Sequence, residues 1–159
     1  MAATACAING LYAIICRDPE TASGGIDPVE VELHAPGFYR SEREDLDFLT
    51  GQAIDRRVRI LFDGTAAWPT LVNPILGFTM RTFIATIQIG YFVGDHRPES
   101  MEVIAEDDGL ILNALSRQSN WPTCTSGCVN GYVVLASRRI RVDATRDIWE
   151  IEVAVTVSG

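Results

Sequence analysis

From Trp149 to Val157 the chain alternates without a break. Trp149, Ile151, Val153, Val155 and Val157 fall on one side, and Glu150, Glu152, Ala154 and Thr156 on the other. This is the period-two pattern of a half-buried strand. The stretch Tyr132 to Val142 is also β-rich, and the polar segment Asp143 to Asp147 between the two reads as a turn, so the pattern predicts a closing hairpin. Charge predicts its register. With Val142 opposite Trp149 and Ile140 opposite Ile151, Arg141 meets Glu150 and Arg139 meets Glu152, whereas a slip of one residue sets Arg141 against Trp149. An exposed Arg–Glu pair contributes only ~0.5 kcal/mol, so the apolar face supplies stability and the charges choose the register. On this reading Arg138, Arg139 and Arg141 are a solvated strand face neutralised by the glutamates opposite, not a polyanion patch.

Thr82 to Val93 is a second strand, with Phe83, Ala85, Ile87, Ile89 and Tyr91 on one side and Ile84, Thr86, Gln88, Gly90 and Phe92 on the other. Apolar residues on both sides place it centrally or at a subunit contact. Val58 to Phe62 predicts a strand ending at Asp63-Gly64, and Val29 to Leu33 a short strand facing inward through Val29, Val31 and Leu33. A loop with Trp68-Pro69 and Asn73-Pro74 separates the strands, because its prolines forbid a central strand. Ser41-Glu42-Arg43-Glu44 reads as a helix start, with a stripe of Leu46, Leu49, Ala53 and Ile54 running to about Arg56. Ser100 to Arg117 predicts a second helix with Met101, Ile104, Ala105, Ile111, Leu112 and Leu115 on one face. Glu102, Glu106 and Asp107 lie on its wet side, and Gly109 costs about 1 kcal/mol and favours a kink. Ala7 to Cys16 is apolar without clean periodicity, and Gly24-Gly25 is a flexible break, so residues 1–36 read as an arm or added edge. The expected whole is one domain over residues 1–159, with an α+β core over 37–159. That core is a mostly antiparallel sheet covered by two helices on one face and closed by the hairpin.

The 159 residues suffice for one real core, and 47% hydrophobic content is globular. All 13 basic residues are arginine, and a net charge of -8 argues against nucleic acid as a bound ligand, since phosphate contacts need a cationic surface. Nucleic acid that must slide past without sticking is compatible with it. The start lacks a basic n-region and no apolar run approaches the ~20 residues of a membrane span. A soluble protein made in a cytoplasm is expected. Cys6, Cys16, Cys124 and Cys128 read first as reduced thiols; a loop disulfide across Cys124 and Cys128 is the alternative, and metal ranks below both because C-x2-C spacing is missing.

The sequence offers few catalytic groups. His34 and His96 are the only histidines, and His96 with Asp95 and Arg97 sits in a turn. Glu102, Glu106, Asp107 and Asp108 could chelate a hard cation but read as a wet helix side with Asp108 near the kink. There is no Gly-x-Ser-x-Gly, P-loop or Gly-rich dinucleotide turn. No catalytic, cofactor-binding or metal-binding residue is assigned, and no enzyme activity is expected.

The order helix, strand, strand, helix, hairpin resembles the tail terminator proteins of long-tailed bacteriophages, the lambda gpU-like group. The residues that carry the likeness are the helix Met101 to Leu115 with Leu112-Asn113-Ala114-Leu115, Trp121-Pro122, Ser137-Arg138-Arg139-Ile140-Arg141-Val142, and Trp149-Glu150-Ile151-Glu152-Val153. It covers residues 41 to 159, and the first 36 residues depart from the family pattern. The resemblance implies a virion protein of the tail or neck, assembled in the host cytoplasm. It would form a ring, usually a hexamer, that caps the tail tube, stops its polymerisation and joins the head-tail connector or stopper protein. DNA would pass its lumen without specific binding, no membrane would be involved and no cofactor is needed. Ile84, Phe92, Arg139, Arg141, Glu150 and Glu152 are the expected interface residues. Two alternatives stand beside it: another neck or head-tail adaptor protein, and a small ligand-binding or hydrolytic domain using Asp95, His96 and the acidic helix.

Overall fold

The structure is a computed structural model that describes residues 3–18, 20–21, 23–28, 37–41, 56–62, 64, 70–93 and 97–158. Helix α1 (Ala3–Ile15) is followed by strands β1 (Tyr39–Arg40), β2 (Arg57–Leu61), β3 (Leu71–Asn73) and β4 (Phe78–Phe92). Helix α2 (Arg97–Ser116), the short helix α3 (Thr123–Cys128) and strands β5 (Val129–Arg141) and β6 (Arg146–Ser158) complete the described chain. The fold is α+β. Its sheet is mixed and mostly antiparallel, in the order β1-β2-β4-β6-β5 with β3 paired to β4; among the described strands only β1 and β2 run parallel. The C-terminal hairpin forms as expected. The expected strand Val29 to Leu33, the expected helix from Ser41 to about Arg56, and both histidines lie outside the described residues.

The core lies between the helices and one face of the sheet. Phe83, Ala85, Ile87, Ile89 and Tyr91 of β4 point into it with Ile151, Val153, Val155 and Val157 of β6, as the alternation predicts. Ile104, Ile111 and Leu115 of α2 close over them. β4 is longer than expected: the segment read as a Pro-broken loop contributes β3 and the first residues of β4, and Pro74 sits in the turn between them. α2 runs as one helix through Gly109.

Residues 3–15 are not an arm. They form a helix whose Ala7, Leu11, Ile14 and Ile15 belong to the core, while Cys6 and Gly10 face α3. A helix covered on two sides is apolar nearly all round, which erases the amphipathic stripe and explains the missing periodicity. Gly10 is required where it stands, because a Cβ there would overlap the Thr125 hydroxyl of α3. Polar atoms tie α1 down further: the Tyr12 phenol accepts the Ile60 N–H at 2.8 Å, and Tyr132 donates to the Ala7 carbonyl at 3.0 Å. An added edge does exist, but it is β1, parallel to β2.

The hairpin register differs from the charge-matched one by three residues. Arg138, not Arg141, lies opposite Glu150; Arg139 lies opposite Trp149, Arg141 opposite Asp147, and Glu152 opposite Ala136. The cause is the turn. Asp143 Oδ1 accepts hydrogen bonds from the N–H groups of Thr145 and Arg146, and Oδ2 pairs with the Arg146 guanidinium at 2.8 Å, closing the loop tightly over Asp143 to Thr145. These bonds, that from Arg146 above all, hold the Asp143 carboxyl well below the usual carboxylate range. Asp147, expected in the turn, is thereby drawn into β6 and buried, where it accepts the Arg139 Nε–H at 2.8 Å. Two irregularities in β5, at Asn130 and Leu135, restore the apolar alternation nearer the strand's start.

Candidate functional site

The face of the sheet away from the core carries a polar row that crosses four strands. Arg59 of β2, Gln88 of β4, Glu150 of β6 and Arg138 of β5 lie directly opposite one another in register. Arg59 Nε donates to Gln88 Oε1 at 2.7 Å, Gln88 Nε2 donates to Glu150 Oε2 at 2.7 Å, and Arg138 Nε donates to Glu150 Oε1 at 2.8 Å. Arg59, Gln88 and Glu150 are buried, while the Arg138 side chain is 70% exposed. The row leaves Gln88 and Glu150 with their polar atoms used inside the sheet and offers one guanidinium to the outside. Glu150 is therefore a structural ligand of the sheet, and Arg138 is its outward group.

The other expected interface residues scatter. Ile84 is half-buried on the same open face, in a row with Ala154 and the exposed Val133. Phe92 ends β4 opposite Arg146, and Glu152, half-buried, lies between Thr86 and Ala136. Arg141 is exposed at the hairpin end. Arg139 turns the other way, toward the helices: its side chain is 22% exposed, holds Asp147, and donates through Nη1 to the Met101 sulfur at 2.6 Å.

Among the described residues, the largest exposed apolar group is elsewhere. At the β3–β4 turn Leu71 is 53% exposed, Val72 63%, Ile75 93% and Leu76 71%. These values exceed what scattered surface leucines need, since the four cluster within six residues of one hairpin. The tip is also ordered by its own chemistry. The Asn73 carboxamide accepts the N–H groups of Ile75 and Leu76 at 3.1 and 3.0 Å, Pro74 limits the backbone, and Gly77 turns at φ 70° to donate its N–H to the Asn73 carbonyl at 2.9 Å. Ile75 and Leu76 are thus held outward in one conformation. Asn-Pro followed by Ile-Leu-Gly carried this signal in the sequence: a turn chemistry enclosing two large apolar residues.

The acidic helix does not present a carboxylate cluster. Asp107 is fully buried and takes the Arg56 guanidinium through Nε at 2.7 Å and Nη2 at 3.3 Å, with Tyr91 donating to it at 2.8 Å. Asp108 accepts the Trp149 indole N–H at 2.8 Å. Asp107 lies three residues after Ile104 and four before Ile111, so the helical stripe itself places it on the buried face. The cysteines differ from both sequence readings as well. Cys6 is joined to Cys124, Cys128 is a half-buried thiol beside them, and Cys16 is separate, its thiol pushed up to about 12 by burial.

Comparison with known proteins finds no family model and no curated protein that matches the chain.

Proposed function

We propose that the chain is a structural virion protein that closes into a ring of about six copies on the end of a phage tail tube. There it ends tube polymerisation and gives the head connector its docking surface. The family resemblance supplies the reading. The observation that carries it is the β3–β4 tip, where four large apolar side chains stand exposed on a turn locked by Asn73 and Gly77. Exposed apolar clusters mark contact sites, and each side chain of this kind gains about 1.5–3 kcal/mol on burial. Closed symmetry repeats that gain at every interface. The net charge of -8 suits a lumen that DNA crosses without adhering. Against the small hydrolytic domain stands the commitment of Asp107 and Asp108 to Arg56, Tyr91 and Trp149.

The reading is tested by mixing the purified protein with isolated tail tubes and imaging them by negative-stain electron microscopy. A cap at one tube end, with no further tube growth from that end, is the expected result. Tubes with bare ends, or decorated along their sides, would overturn it.

A further inference from the structure

Three of the four cysteines meet at one end of the molecule. Cys6 stands on α1, and Cys124 and Cys128 stand one turn apart on α3, so that the latter two share a helix face. All three sulfur atoms lie within 4.8 Å of one another. The two helices that carry them are fitted together: Gly10 makes room for Thr125, and the Thr125 hydroxyl donates to the Cys6 carbonyl at 3.4 Å. A cavity of about 640 Å³ opens at the cluster, lined by all three cysteines with Thr4, Thr79 and Arg81. The Arg81 guanidinium is fixed on that wall by donating through Nη2 to Thr4 Oγ1 at 2.8 Å.

We propose that the reduced form of this cluster is a binding site for a thiophilic d10 cation such as zinc, held by the thiolates of Cys6, Cys124 and Cys128, and that the Cys6–Cys124 disulfide is the oxidised form that excludes the metal. A tetrahedral metal–thiolate site has bonds of ~2.3 Å and therefore sulfurs roughly 3.8 Å apart, within the spacing of the cluster. Opening the disulfide takes two electrons from an added phosphine and two protons from water, whose oxygen turns the phosphine into its oxide. Each of the three thiols then gives up one proton as the cation binds. Three thiolates and a divalent cation leave a net charge of about −1, which the Arg81 guanidinium offsets from the cavity wall. The fourth position faces the cavity, where water completes the shell. Cys16 follows the far end of α1 and takes no part.

Cobalt(II) is the probe. The full-length chain, reduced by a phosphine and freed of it under argon, is titrated with cobalt. The expected result is a thiolate-to-cobalt charge-transfer band and tetrahedral visible bands that saturate at one cobalt per chain, release three protons, and vanish when zinc is added. The oxidised protein gives no band. Cys16→Ser titrates as the unaltered chain does. Cys128→Ser, an isosteric change at a half-exposed position, keeps its circular dichroism and binds at least ~100-fold more weakly, a loss greater than that from a residue that only orients a ligand. A reduced protein without the charge-transfer band overturns the proposal, and so does a band that is unchanged by Cys128→Ser or present in the oxidised form.

Discussion

Asp107→Asn destabilises the protein by about 3–5 kcal/mol, the cost of removing one member of a buried ion pair. Thermal unfolding then begins roughly 10 °C lower for a chain of this size. The argument rests on geometry. Arg56 and Asp107 are both fully buried, the guanidinium spans both carboxylate oxygens, and Tyr91 adds a third bond to Oδ2. Asparagine keeps the shape but removes the charge that two N–H groups of a buried cation meet. The pair joins α2 to the start of β2 across the core, and Arg56 adopts a left-handed backbone, φ 53°, to reach it. Replacing the whole set with apolar residues, Arg56→Met with Tyr91→Phe and Asp107→Leu, recovers more than half of the loss, because no carboxylate or guanidinium is left buried. Calorimetry of the three proteins checks both statements. An Asp107→Asn variant within 1 °C of the unaltered chain would show that the pair does not hold α2 in place.

Charging the hairpin tip gives the second large effect, on assembly and not on folding. If the proposed ring forms through this tip, Ile75→Asp together with Leu76→Asp yields single chains and leaves the melting temperature of the subunit within about 2 °C. Surface substitutions away from packed features cost within roughly 0.5 kcal/mol, and these side chains are 93% and 71% exposed. Two carboxylates brought into an apolar contact lose its burial and add a desolvation cost of several kcal/mol at each interface of the ring. Sedimentation velocity alongside thermal melting separates the two effects. A ring that survives the double substitution would place the subunit contact elsewhere, with Ile84 and the open face as the next surface to charge.

The strands could be read from the sequence wherever large apolar residues recur at every second position. β4 and β6 have that alternation, and both appear with the predicted inward residues. The register of their hairpin partner could not be read from the matching of arginines to glutamates, because the turn chemistry outweighs it. Asp143 decides the turn by satisfying the backbone N–H and the hydroxyl of Thr145 together with the N–H of Arg146 and its guanidinium, and charge pairs of ~0.5 kcal/mol adapt to the result. α1 was hidden by being buried on two sides, and α3 by its brevity and by glycine and threonine, both poor helix formers. Asp107 was legible in principle. Its spacing from Ile104, Ile111 and Leu115 puts it on the core stripe, although its residue type alone points to the wet side. Arg56 had no such signal, since its partner lies 51 residues away. The pairing of Cys6 with Cys124 depends on a separation of 118 residues that only the packing of α1 on α3 closes.

The assembly claim is tested most directly by the mass of the purified protein in solution, measured by light scattering across a size-exclusion peak. The account predicts about six times the 17.4 kDa of one chain, with a central hole in negative-stain images of the same peak. A mass of 17.4 kDa at every concentration tested, unchanged when tail tubes are added, would contradict it.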